Sequence, residues 1–283
     1  MSWQILVVVS VVTYSVSVLL QRVLLKNEKS DPVAFSIVFQ LIVGVLTLAY
    51  ALVRGFSMPS LAPLLPNLLA MVVLYGAGNV FIFKALKLVE ASEFTIIFAT
   101  RVLWTIGAAI LFLGEAFAIK QLAGTVLILA GVVLVSWHSE KIKFGTKGSI
   151  FSLLAAAAFG LAFANDAFLL RNFDVPSYLS IAFIAPTLGV WLISPGVTTK
   201  MRVFLERQFL LKLGLLGTIY AVSAITVFLA YQIGRNAAQI APLNQLSTVV
   251  VVILGIVFLK EKSHVFKKMV GALLGFVGMV LVG

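Results

Sequence analysis

The sequence predicts an all-α integral membrane protein with about ten transmembrane helices, arranged as two inverted five-helix repeats. Three observations carry this expectation. Hydrophobic residues make up 61% of the 283 residues and charged residues only 11%, against about 25% charged in a soluble domain. The chain divides into apolar runs of about 20 residues, the length a helix needs to cross the hydrocarbon of a bilayer. It also repeats itself. FLGE at 112–115 returns as FLKE at 258–261, each followed by a polar stretch and a glycine-bearing apolar run that closes on GVVLV (131–135) or GMVLV (278–282). Tyr75, Phe83 and Ala85 recur at the same spacing as Tyr220, Phe228 and Ala230. Two similar apolar halves suggest a membrane protein with a binding site between them.

Taken in order, spans are expected at 3–25, 33–54, 67–88, 93–113, 118–137, 149–171, 177–195, 213–234, 240–259 and 266–282. The first run carries Tyr14, Ser15 and Ser17 at its centre. It is longer than the apolar core of a cleaved signal peptide, so it reads as a retained span. Short connections force consecutive helices to lie antiparallel. The polar junction 138–148 is a linker between a first repeat at 3–137 and a second at 149–282. Five helices in each half give the halves opposite orientation.

Charge sets the expected topology. Of the 21 Lys and Arg residues, Arg101 lies within a span and four (Arg54, Lys120, Arg171 and Arg235) flank the ends of even-numbered spans. The remaining sixteen collect at the ends of odd-numbered spans. The excess places the odd-numbered loops in the cytoplasm and both termini outside, most naturally in the cytoplasmic membrane of a prokaryotic cell. The same distribution argues against nucleic acid as the reason for the net charge of +11. With no cysteine and two distant histidines, His138 and His264, neither a disulfide nor a metal site is expected. The chain has no phosphate-cradling glycine loop with lysine, no HExxH and no GxSxG, so no enzyme, no cofactor and no ATP-driven step is expected.

Glycines in the fifth and tenth spans share one helix face, with Gly124 and Gly131 in one and Gly271, Gly275 and Gly278 in the other. Small residues on one face let helix backbones approach, so these two spans are expected to pack closely.

The chain resembles the drug/metabolite transporter superfamily, and within it the EamA-type ten-helix members. The resemblance covers nearly the whole chain. It rests on KALKLVEASEFTIIF…AILFLGE…QLAGTVLILAGVVLV in the first half and LAYQIGRNAAQIAPLNQL…GIVFLKE…KKMVGALLGFVGMVLV in the second. The specific element is the L-x-E turn followed by glycine, Glu115 to Gly124 and Glu261 to Gly271. The resemblance implies an alternating-access carrier of small polar metabolites, with a cavity lined by the first four helices of each half and the fifth and tenth at the side. The sequence departs from the family pattern in its fourth span, where Thr100-Arg101-Val102 stands in place of a T-P-V stretch, and in its ninth, where the nearest proline is Pro242. Family members are also often drawn with both termini in the cytoplasm, opposite to the charge count.

Arg101 is the leading candidate for substrate binding. It lies roughly 12 Å into the fourth span at 1.5 Å per residue, where a cation must face a cavity or a partner. A guanidinium there can hold a carboxylate or phosphate through two parallel hydrogen bonds. A structural ion pair is the alternative. Asp166, well inside the sixth span and preceded by Asn165, is the expected partner of Arg101 and a candidate proton-coupling group.

Polar residues at helical spacing mark further faces: Ser10, Tyr14, Ser17 and Gln21; Ser36 and Gln40; Tyr75 and Asn79; Tyr220, Ser223 and Tyr231. The start of the ninth span, with Gln239, Asn244, Gln245, Ser247 and Thr248, is unusually polar. Singly, each such group can be helix–helix glue; together they suggest a polar cavity. Trp104 can offer that cavity an aromatic wall or can face lipid. Glu115 and Glu261 are expected to hold their own turns by accepting bonds from the next helix.

The expected partners are therefore the bilayer, a small-molecule substrate with an acidic group, and the proton as coupling ion. The chain can work as a monomer or a homodimer. An amine or drug exporter using Asp166 is the alternative within transport, and a non-transporting membrane scaffold the alternative outside it.

Overall fold

The computed structural model describes residues 2–25, 31–86, 88–89, 91–136, 145–234, 236–258 and 265–282. Glu261 and linker residues 138–144 lie outside the described residues. Twelve α-helices are described: α1 (Trp3–Leu25), α2 (Pro32–Arg54), α3 (Leu65–Leu86), α4 (Ala91–Ala99), α5 (Arg101–Leu113), α6 (Ile119–Ser136), α7 (Lys147–Leu169), α8 (Val175–Ile193), α9 (Thr198–Met201), α10 (Arg207–Gly234), α11 (Ala237–Phe258) and α12 (Val265–Val282). No strand occurs among the described residues. Eight stretches are long and apolar enough to cross a membrane, and a shorter apolar helix covers Met269–Val282. The all-helical membrane fold expected from composition is the fold observed, and each of the ten predicted ranges holds a helix.

Two predicted ranges need correction. The fourth, 93–113, is two helices broken at Thr100. The Thr100 hydroxyl and amide both donate to the Ile97 carbonyl, at 2.6 and 3.1 Å. The amide of Leu103 in turn bonds Thr100 O at 2.9 Å. The hydroxyl competes with the main-chain ladder, which tightens locally to i→i+3. The eighth helix begins at Arg207 instead of 213, because the junction before it folds into short helical turns, including α9.

Helix ends follow their capping residues. Asp31 precedes Pro32 and accepts from the amides of Val33 and Ala34 at 3.0 and 3.1 Å. Thr146 and Asp174 cap α7 and α8 through the amides of Ser149 and Ser177. The glycine of FLGE ends α5: Gly114 has φ 68°, a left-handed conformation that glycine adopts without a Cβ penalty.

The helix pairings reveal the repeat. Exchanging the halves matches α1 with α7, α2 with α8, α3 with α10, the α4–α5 pair with α11, and α6 with α12. Under that exchange the α1–α10 contact becomes α7–α3, α1–α11 becomes α7–α5, α2–α10 becomes α8–α3, and α11–α12 becomes α4–α6; all of these contacts are present. The α2–α8, α5–α11 and α6–α12 contacts map onto themselves. The major interfaces thus run between halves, and neither half forms a separate bundle.

The α6–α12 seam is where glycine matters most. A Cβ on Gly124 would meet Gly278 O at 2.6 Å, and one on Gly131 would meet Gly271 O at 2.5 Å. Backbone lies on backbone, the close approach that the glycine spacing predicts.

Candidate functional site

The break at Thr100 sets Arg101 at the first position of α5. Its guanidinium lies over the Phe98 ring at 4.6 Å and 5.9 Å from the Phe163 centroid. Both distances are within cation–π range. The phenols of Tyr14, Tyr231, Tyr220 and Tyr75 are its electrostatic neighbours. These groups come from α1, α3, α4, α5, α7 and α10, so both halves contribute. Rings extend the wall: Tyr220 packs on Tyr14, Phe39 and Phe183 at 5.8, 5.0 and 5.9 Å between centroids. Tyr75 packs edge-on against Phe159 at 5.3 Å.

Asp166 does not pair with Arg101, contrary to the sequence expectation. The carboxylate is fully buried. It accepts from Tyr75 Oη at Oδ2 and from Tyr178 Oη at Oδ1, both at 2.5 Å. Its position on α7 turns it toward α3 and α8. Among the described residues the ion pair is Lys200–Asp31 at the surface, and no carboxylate faces the Arg101 guanidinium at ion-pair distance. Tyr178, which sequence reasoning missed, is the second donor. The available signal was a tyrosine twelve residues after an intramembrane acid, early in the next helix.

Other candidates sort by what their side chains already touch. Asn165 exchanges two hydrogen bonds with Asn67 on α3, Asn67 Nδ2 donating to its Oδ1 at 2.7 Å and its own Nδ2 donating to Asn67 O at 2.9 Å. These bonds tie α7 to α3 and occupy one donor and one acceptor of the Asn165 amide. Gln40 donates to Ser36 and accepts from Thr187, each at 2.8 Å. With Asn79, Ser36 and Thr187 it lines a small pocket between α2, α3 and α8. Asn79 donates to Tyr75 O at 2.8 Å.

Trp104 is 42% exposed, with its Cβ on the α5–α7 seam beside Gly160. On α11, Gln245 Nε2 donates to Thr248 Oγ1 at 3.2 Å. Its Oε1 is the buried side-chain acceptor without a partner among the described residues. Asn244 lies beside it, partly buried. Ser10 and Ser223 meet at 3.1 Å, and Ser15 donates to Ser247 O at 3.1 Å; these serines tie α1 to α10 and α11.

Glu115 also departs from expectation. Its two oxygens accept from the amides of Ala237 and Ala238 at 2.9 and 2.7 Å. It therefore caps the start of α11 in the opposite half, and not the neighbouring helix α6.

Comparison with known proteins agrees with the two-repeat architecture. A family model described as "EamA-like transporter family" matches residues 1–137 and again 146–283. A solved structure titled only "Crystal structure of protein" aligns over 99% of this chain and 95% of its own, with a TM-score of 0.77 and 16% identity. That likeness is one of fold. No curated protein matches.

Proposed function

The chain belongs to the EamA-like transporter family and is by that membership a multi-pass membrane transporter; from this premise we propose that it is a secondary carrier that moves a small, acidic, polar metabolite by alternating access. The observation behind this reading is Arg101. Its guanidinium sits among rings and phenols drawn from both halves, with no carboxylate neutralising it among the described residues. A cation inside a span is costly unless something compensates it. Stacking and phenol oxygens supply part of that compensation, and a substrate carboxylate or phosphate supplies the rest through paired hydrogen bonds. Tyr14, Tyr75 and Tyr220 then flank the bound anion. Gln245, with its unpartnered Oε1, takes a hydrogen-bond donor from the substrate, and Asn244 and Thr248 border it. A buried polar atom without a partner is unusual enough to call for one.

Asp166 is the proton-coupling group in this reading. It is buried beneath Tyr75, and Tyr75 is also an electrostatic neighbour of Arg101, so charge arriving at Arg101 is felt at the carboxylate. The amine-exporter reading needs Asp166 as the binding charge, and both its oxygens are already taken by tyrosines. The sixteen-to-four distribution of basic residues supports a cytoplasmic placement of the odd-numbered loops.

The test is counterflow in proteoliposomes with labelled carboxylates, phosphate esters and amines. Exchange of an anionic solute that falls about tenfold or more in Arg101→Gln, the loss of one charge-assisted contact, is expected. Exchange of amines alone, or of anions at an unchanged rate in the variant, would refute the proposal.

A further inference from the structure

We infer that Glu115 is the latch that holds the two halves together on one face of the carrier, and that this contact must open for substrate to pass there. The inference rests on the transport reading above. The face in question is the one where even-numbered predicted spans end.

Three features separate a latch from an ordinary helix cap. First, α11 supplies much of its own cap: Asn236 Oδ1 accepts from Gln239 N at 2.9 Å, and Asn236 O accepts from Ile240 N at 3.1 Å. The remaining first-turn donors, the amides of Ala237 and Ala238, go to Glu115. Both alanines are fully buried, so the carboxylate, and not water, satisfies them. Second, the carboxylate comes from the other repeat, 122 residues away in sequence. It joins the end of α5 to the start of α11, the helices that exchange with each other under the repeat symmetry.

Third, the contact has company. On the same face Ser57 donates to Asp174 at 3.0 Å, and its amide to Ser177 Oγ at 3.1 Å. Asn67 and Asn165 exchange hydrogen bonds, and Arg171 reaches Leu113 O at 3.4 Å. Each joint crosses between halves. Toward the opposite face the described cross-half polar contacts are Lys200–Asp31 at the surface and, deeper between α2 and α8, Thr187–Gln40. Among the even-face joints, Glu115 is the one whose carboxylate accepts from the first-turn amides of a helix in the other half, whereas Asp174 caps its own helix α8.

The chemistry suits reversible opening. A carboxylate and two main-chain N–H groups are all well solvated by water, so separation exchanges one set of good hydrogen bonds for another. Arg171 lines the same small pocket as Glu115, with Tyr231 and Gln232.

The experiment is hydrogen–deuterium exchange of purified protein in detergent or nanodiscs, comparing the parent with Glu115→Gln and Glu115→Ala. It needs no substrate, so its outcome is independent of whether Arg101 binds an anion. A latch frees the whole even face: exchange at 65–71 and 165–173 rises about tenfold or more along with 237–240, the size expected for losing charge-assisted bonds that hold a sub-global opening closed. Segments 34–43 and 209–216 on the other face stay as in the parent. A rise confined to 237–240 would show a local cap and overturn the inference, as would a rise spread equally over both faces. If Glu115→Ala does not fold, Glu115→Gln, which keeps the side-chain volume and one acceptor, carries the same comparison.

Discussion

The Tyr75 hydroxyl donates to Asp166 Oδ2 at 2.5 Å, across the interface between the third helix of the first half and the first helix of the second. Tyr178 completes the pair of donors from α8. The fully buried acid is thereby a three-helix junction. Tyr75→Phe or Tyr178→Phe should lower stability by about 1–3 kcal/mol, the cost of leaving a buried acceptor short of a partner. Because both act on one carboxylate, the double variant should be non-additive. Thermal melts of the two singles and the double check this, and near-zero, additive effects would deny Asp166 a structural role.

Asp166 is also the proposed proton carrier. Asp166→Asn should abolish uptake driven by a pH gradient while leaving substrate exchange measurable. Gradient-driven uptake that survives the change would remove Asp166 from coupling.

The glycine seam makes a sterically sharp prediction. Gly131→Ala puts a methyl against Gly271 O, whereas a Cβ at Gly107 or Gly214 meets nothing within 4 Å. The first should destabilise by about 1–3 kcal/mol, the range for overpacking. The other two should be neutral or slightly stabilising, as alanine is the better helix former. Melting temperatures of the three variants decide it.

At the surface, burial pushes the Asp31 carboxyl up, but the hydrogen bond and charge of Lys200 and the amides of Ala34 and Val33 outweigh it, holding the group below its ordinary value of 3.8. A depressed carboxylate contributes stability that is fully present above its unfolded value and lost as pH falls through the folded one. The contribution is therefore constant at neutral pH and fades only below about pH 4. Lys200→Ala should cost less than about 1 kcal/mol, as Lys200 is 59% exposed. Asp31→Ala should cost about 1 kcal/mol or more, because it also removes the α2 cap. Equal losses from the two variants would mean that the cap contributes nothing.

The helices were legible in the sequence because a long apolar run has one way to satisfy its backbone in lipid, and the glycine seam because residues seven apart share a face. The break at Thr100 was not legible, since nothing in the sequence separates this threonine from Thr47 or Thr125, whose hydroxyls also bond back to their own helices. Asp166 was assigned to Arg101 by charge, but the facing of α7 gives it to two tyrosines instead. Glu115 was assigned to its neighbour in sequence, and its partners lie in the other repeat. Asn165 reads as a cavity residue in the sequence, and the structure also gives it a joint to Asn67 across the halves. The repeat announced the scaffold; which polar groups remained free depended on helix rotation, and only three dimensions supply that.

The central claim is that Arg101 receives an acidic group, and ligand-dependent thermal shift in detergent tests it most directly. A ligand raises the melting temperature by an amount that grows with the logarithm of its concentration relative to its dissociation constant. Carboxylate or phosphate-bearing metabolites should stabilise the parent protein, less so Arg101→Lys, and not Arg101→Gln, while amines leave all three unchanged. Stabilisation by amines alone, or an anion shift that persists undiminished in Arg101→Gln, would contradict it.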